Sequence, residues 1–297
     1  MTILAGFSAS RQNPAPVELA TQIARTTGED ILAVAVLERR LPAKADPIED
    51  EYIDYLAVQA DQALHHATDR LATAAAVRTQ VEQARSIPEG LALAAQEHRP
   101  SVITVGSSSS GLLGRVTLGS VTERLVHTAA IPVAIAPRGY RAGSLGITRL
   151  TVAYGGRADR SGLIESAAGL ADSWGVPLRI VSFAVRDVSA FTGTIESNDA
   201  EHLVVHNWWL RTRGRIEEQL TEVCETLRTR VPVEVGLGSG TDWPTTVESV
   251  GWDPGDLMLF GSGAAAIHQQ VFLGSAASRI MRASPVPVMI MPRIDSA

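Results

Sequence analysis

Gly106, Ser107 to Ser110, Gly111, Arg115, Gly119 and Ser120 fall within one stretch, Ser101 to Arg138, that reads SVITVGSSSSGLLGRVTLGSVTERLVHTAAIPVAIAPR. These residue types at this spacing fit the holding of an anion. Serine hydroxyls and glycine-bared backbone amides donate hydrogen bonds, and Arg115 offers a countercharge. Ser120 and Val121 open a predicted helix, where free N–H groups and the helix dipole favour phosphate. A second copy of the stretch runs from Asp256 to Arg293, with Gly261, Ser262, Gly274 and Ser275 in the matching places.

Other chemistries find less support. Lys44 is the only lysine, so a GxxxxGK phosphate loop is absent. No G-x-S-x-G elbow occurs, and the serines at 107 to 110 read as hydrogen-bonding loop residues, with no catalytic residue assigned. Cys224 is the single cysteine, which excludes an intrachain disulfide and a cysteine zinc cluster. His202 and His206 share a helical face but lack a third ligand and read as a surface pair, so no metal site is assigned. Gly236 to Thr241 approximates a dinucleotide fingerprint without its last glycine and reads as a turn. Trp208-Trp209 fits an interface or a core equally. A net charge of −6 and a pI of about 5.7 predict no nucleic-acid partner. The start, MTILAGFSAS, has neither a basic region nor a long apolar run, and no segment has the length of a membrane span. A cytoplasmic protein without membrane contact is expected.

The anion-holding residues need a frame to hold them. Apolar runs at Ile3–Phe7, Ile31–Leu37, Val102–Val105 and Val133–Ala136, with an alternating run at 77–84, predict five strands. Helical spacing fills the gaps at Pro16–Thr27, Tyr52–Leu71, Pro88–His98 and Gly119–Thr128, while Pro42–Glu51 reads as a loop. Alternation of this kind predicts a mostly parallel sheet with helices on both faces.

The second half repeats the first. Leu150–Tyr154 matches Ile3–Phe7, and Gly175 matches Gly28. Pro88 pairs with Pro244, and Gly106, Arg124, Pro132 and Arg138 pair with Gly261, Arg279, Pro287 and Arg293. The 297 residues therefore read as a tandem duplication, 1–140 and 148–297, joined by a glycine-containing linker.

Strand, G-x2-G-x9-G-S/T, helix and P-V-strand on a five-stranded βα repeat resembles the universal stress protein family, in its tandem two-domain form. The resemblance implies two Rossmann-like (adenine nucleotide alpha hydrolase-like) domains, each a five-stranded parallel sheet flanked by helices. It further implies a stress-response binding or regulatory protein that holds ATP or another adenine nucleotide, with Mg²⁺ as a possible companion, and that has at most weak ATPase activity. Gly106, Ser109, Gly119 and Ser120 carry the motif in the first half; Gly261, Ala264, Gly274 and Ser275 carry it in the second. Backbone at Val36 would address the adenosine. Two departures stand out. Ser109 and Ala264 replace the second glycine, and Ser8 and Gly155 stand where nucleotide-binding members carry aspartate. Removing a charged acceptor costs about 1.5–3 kcal/mol for such a contact. The first half is thus the better site and the second a degenerate one. In the family the last strand pairs with its counterpart, so the resemblance implies an intrachain pseudo-dimer, with a homodimer of whole chains as a further state. The alternative is an interaction scaffold that binds no nucleotide and acts through partners or oligomers.

Overall fold

A computed structural model describes residues 1–10, 12–39, 47–69, 71, 75–155, 162–185, 227–261 and 275–292, and parts of 210–225. The first half runs β1 (Thr2–Phe7), α1 (Ala15–Thr27), β2 (Asp30–Glu38), α2 (Pro47–Thr68), β3 (Val77–Ala84), α3 (Ile87–His98), β4 (Val102–Gly106), α4 (Ser120–Thr128) and β5 (Val133–Ala136). The second runs β6 (Arg149–Tyr154), α5 (Leu163–Trp174), β7 (Leu178–Val185), β8 (Val233–Gly240), α6 (Trp243–Glu248), β9 (Asp256–Gly261), α7 (Ser275–Ala283) and β10 (Val288–Met291). The long second-half helix is seen over parts of 210–225, while His202, His206 and Trp208-Trp209 lie outside the described residues.

The strands form one sheet in the order β3-β2-β1-β4-β5-β10-β9-β6-β7-β8. Each half supplies five parallel strands, and the halves meet at one antiparallel pair, β5 with β10. Ala134 faces Met289 there, while Val133 faces Ile290 and Ile135 faces Val288. Ala134 and Met289 are counterparts in the repeat, so a local two-fold passes between them. All eight residues of the two strands are buried. The expected partner of the last strand is therefore the other copy within the chain, and each strand covers the edge that the other half would expose.

Alternation along β1 sends Ile3, Ala5 and Phe7 to one face and Leu4 to the other. The first face packs under α1 and α5, and the second under α3, α4, α6 and α7. Both cores run across the two halves. Ile31 to Ala35 of β2 are buried without a break, as a parallel strand covered on both sides requires. Helix α1 buries Val17, Ala20, Ile23 and Ala24 and stops at Gly28, whose φ of 72° is left-handed.

One expectation changes here. Helix α2 begins at Pro47, inside the stretch expected to be a loop. Proline suits a first helical turn, and Asp50 and Glu51 lie near the favourable end of the dipole. The linker is not a slack tether. Arg141 bonds Glu18 at 3.0 Å, Ile147 donates to Thr26 at 2.6 Å, and the Tyr140 hydroxyl donates to Gln22 of α1. Gln22 in turn donates to Pro254 O at 3.0 Å, reaching the second half. Burial, and then the Glu18 carboxylate, push the Tyr140 hydroxyl above its ordinary range.

The turn expected at Gly236–Thr241 is strand β8 for most of its length. Its glycines serve packing. A Cβ on Gly238 would meet the Thr246 carbonyl at 2.7 Å, and one on Gly240 would meet the Thr246 amide at 2.7 Å. Bare backbone lets α6 lie close against the strand.

Candidate functional site

Chain order places the site. From β1 the chain crosses to β2 on one side, and β4 lies against β1 on the other. Crossovers leaving in opposite directions open a crevice at the carboxyl ends of the strands, where open α/β sheets hold ligands. The ends of β1, β2 and β4 bring Ser8, Val36 and Gly106 to that edge. They line a cavity of about 840 Å³ with Ser107 to Ser110, Asn13, Gly119, Ser120, Val121 and Arg138.

The loop between β4 and α4 is braced from inside. Ser107 is buried, and its hydroxyl accepts the Thr117 amide at 2.8 Å and donates to Arg115 O at 3.3 Å. The Ser108 amide donates to Thr117 O at 2.8 Å, and the Ser108 and Ser110 hydroxyls lie 2.9 Å apart. Thr122 of α4 donates to Gly106 O at 3.1 Å, tying helix to strand. Ser109 and Ser120 are exposed at the cavity wall.

The loop glycines have different duties. Gly106 is needed for space, since a Cβ there would come within 2.8 Å of Asn13 Nδ2. Gly111 is needed for packing, with Thr117 Oγ1 at 2.6 Å from its would-be Cβ, and it does not line the cavity. Gly119 caps α4 in extended conformation with no side-chain cap, and a Cβ there would make ordinary contact with Ser108 at 3.5 Å. The first amides of α4 find no partner within the helix and belong to the cavity wall at Ser120 and Val121.

Arg115 does not point into the cavity, contrary to the expectation of a phosphate countercharge. Its guanidinium donates to Ala283 O at 2.6 Å and pairs with Glu248, both in the second half. Among the described residues, the cation of the cavity is Arg138, which donates to Gly111 O at 2.7 Å while its backbone exchanges bonds with Arg115 and Gly114. Asn13 is the second residue that sequence reasoning missed. Its Oδ1 accepts the Ala15 amide at 3.2 Å, which leaves Nδ2 turned toward Gly106. Signals for both existed: Arg138 recurs as Arg293, and Asn13 stands just ahead of a proline-rich helix start.

In the second half, Gly261 ends β9 and Ser275 begins α7, the positions expected. Ser262 and Gly274 lie outside the described residues. A further cavity of about 520 Å³ lies on one face of α5 against Met291, and neither Gly261 nor Ser275 lines it.

A family model described as the universal stress protein family matches residues 1–137. A universal stress protein of Mycobacterium tuberculosis is 29% identical over 296 residues, covering 98% of this chain and 100% of its own length. A Mycobacterium bovis relative matches equally. The first half of the chain thus matches the universal stress protein family, and the whole chain is similar to full-length universal stress proteins. A solved universal stress protein structure from Archaeoglobus fulgidus covers 98% of both chains with a TM-score of 0.55 at 20% identity. A Pseudomonas aeruginosa structure covers 98% of this chain and 92% of its own with a TM-score of 0.53 at 15% identity. These two likenesses bear on the fold of this chain, a tandem α/β architecture with ten strands among the described residues, and not on its ligand.

Proposed function

We propose that this chain is a universal stress protein, a cytoplasmic stress-response regulator that binds an adenine nucleotide in the first-half cavity and acts by binding rather than turnover. One observation carries the reading. The crevice at the ends of β1 and β4 is walled by the glycine-serine loop, the uncapped start of α4 and Arg138, all of them donors suited to phosphate. Apolar residues at the other side, among them Val36, Ile87 and Leu91, suit a flat base. The two halves are read as universal stress protein domains spanning 1–140 and 148–297, the second with a degenerate site. The paired β5 and β10 make the chain its own pseudo-dimer, and association of whole chains is a further state of the same reading. No membrane or nucleic acid is involved in it; no described helix is long and apolar enough to cross a membrane.

Calorimetric titration and thermal shift with ATP, ADP and AMP test the reading. Saturable binding at one site per chain, abolished by Gly106→Val, is the expected result. No response to any of the three at millimolar concentration overturns it. Release of AMP and pyrophosphate at a steady rate would instead make the protein a hydrolase.

A further inference from the structure

We infer that the first-half cavity takes its phosphate ligand as a metal-free anion, with Asn13 and Arg138 doing what a divalent cation does elsewhere. This inference rests on the nucleotide reading above and concerns the same cavity.

Magnesium is a hard cation that holds near-octahedral oxygen geometry and is bound through one or two carboxylates together with phosphate oxygens. The described lining of the cavity offers no such ligand. Among the described residues that line it there is no aspartate, glutamate or histidine, and its one charged side chain is the cation Arg138. No group of three or more histidine, cysteine or acidic residues able to hold a metal ion occurs among the described residues. The donor set therefore does not fit Mg²⁺.

The same residues fit a bare phosphate. After β1 stands Ser8, a neutral group whose hydroxyl lies 3.4 Å from that of Ser10. Its backbone is bridged to Asn13, which closes the turn back over the crevice. Asn13 is oriented by its own backbone contact. Because Oδ1 is occupied by the Ala15 amide at 3.2 Å, the proton-bearing Nδ2 is the end presented over the bare Cα of Gly106. An amide NH₂ attracts phosphate oxygen and repels a metal ion. Arg138 is held in place from its backbone and through Gly111 O, which leaves further guanidinium protons for an anion. Ser109, Ser120 and the first amides of α4 complete a wall of donors. In a chain of net charge −6, the described lining of this crevice carries no acid.

The test is calorimetry of the full chain with AMP and with ATP, each in EDTA and in millimolar MgCl₂. Both nucleotides are expected to bind in EDTA, and magnesium is expected to tighten neither by more than about threefold. Tightening of about tenfold or more overturns the inference while leaving the nucleotide reading intact. Failure of both nucleotides in both buffers overturns the nucleotide reading itself, and this inference with it. Asn13→Asp supplies a second arm. It keeps an oxygen for the Ala15 amide, so α1 retains its start, but it sets a carboxylate beside the phosphate. Binding in EDTA is expected to weaken about tenfold or more, with partial recovery in magnesium, and Asn13→Ala to weaken it less. Unchanged affinity of Asn13→Asp in EDTA overturns the role given to Asn13.

Discussion

Arg115, in the loop that walls the cavity of one half, forms an ion pair with Glu248 at the end of α6 in the other. The same guanidinium caps the carboxyl end of α7 through Ala283 O at 2.6 Å, where a cation is favoured by the dipole. Ser107 and Arg138 both bond the Arg115 backbone. The cavity loop is thus fastened at one residue to its own half and to its neighbour.

Arg115→Ala is expected to cost about 1–2 kcal/mol, mostly through the lost bond to the α7 carbonyl. Glu248→Ala is expected to cost less than about 1 kcal/mol, because that carboxylate is more than half exposed and screened. Urea titrations of the two single variants and the double variant measure the coupling. Strict additivity would show that the pair contributes nothing of its own.

Gly106 and Gly119 are both motif glycines, yet they are expected to respond differently. Gly106→Ala presses Asn13 and narrows the cavity, so nucleotide affinity should fall about tenfold or more. Gly119→Ala adds a methyl at ordinary contact distance from Ser108, so stability should change by less than about 1 kcal/mol. Parallel thermal melts and titrations separate the two. Equal effects on affinity would place the phosphate nearer Gly119 than the geometry does.

Acid should weaken the second half first. The Thr229 hydroxyl, helped by the Arg230 amide, holds the Asp172 carboxyl below its ordinary range. The Thr245 amide does the same for Asp242 at the start of α6. Carboxyls depressed on folding contribute stability that is complete above about pH 4 and is lost as pH falls through their folded values. Melting temperature followed from pH 6 down to pH 2 should decline more gently in Asp172→Asn and Asp242→Asn than in the parent chain. An unchanged slope counts against both contacts.

Met289→Asp puts a charge at the middle of the antiparallel junction, opposite Ala134 and fully buried. The expected loss is at least about 3 kcal/mol, since nothing at the junction pairs with the carboxylate. Urea unfolding followed by tryptophan emission, which reports the second half alone because all five tryptophans lie there, should shift away from the transition seen by circular dichroism. A single coincident transition at unchanged midpoint would show the junction to be dispensable.

The frame was largely legible because its signals are local. Ile31–Leu37 declares a doubly covered strand by composition alone, and the matched landmarks from Gly106 to Arg138 declare the repeat. What escaped depends on distance in space. Arg115 looks like a phosphate ligand when only its neighbours in sequence are considered; Ala283 and Glu248 claim it across the domain boundary. Asn13 reaches Gly106 from a different loop. The strap from Tyr140 to Ile147 carries glycines and little apolar surface, the marks of a free tether. Its hydrogen bonds to Glu18, Gln22 and Thr26 are invisible until α1 is folded beneath it.

The facing of Ala134 by Met289 has a last consequence. In an isologous dimer of identical chains every contact must occur twice, once in each direction. Here the two sides of the junction are encoded separately and have drifted apart. Position 270, the repeat's counterpart of Arg115, is glutamine, and position 92, the counterpart of Glu248, is alanine. The residues of the Arg115–Glu248 ion pair are encoded in one direction only. The tandem chain is therefore fastened by a tie that a dimer of identical chains could not make just once.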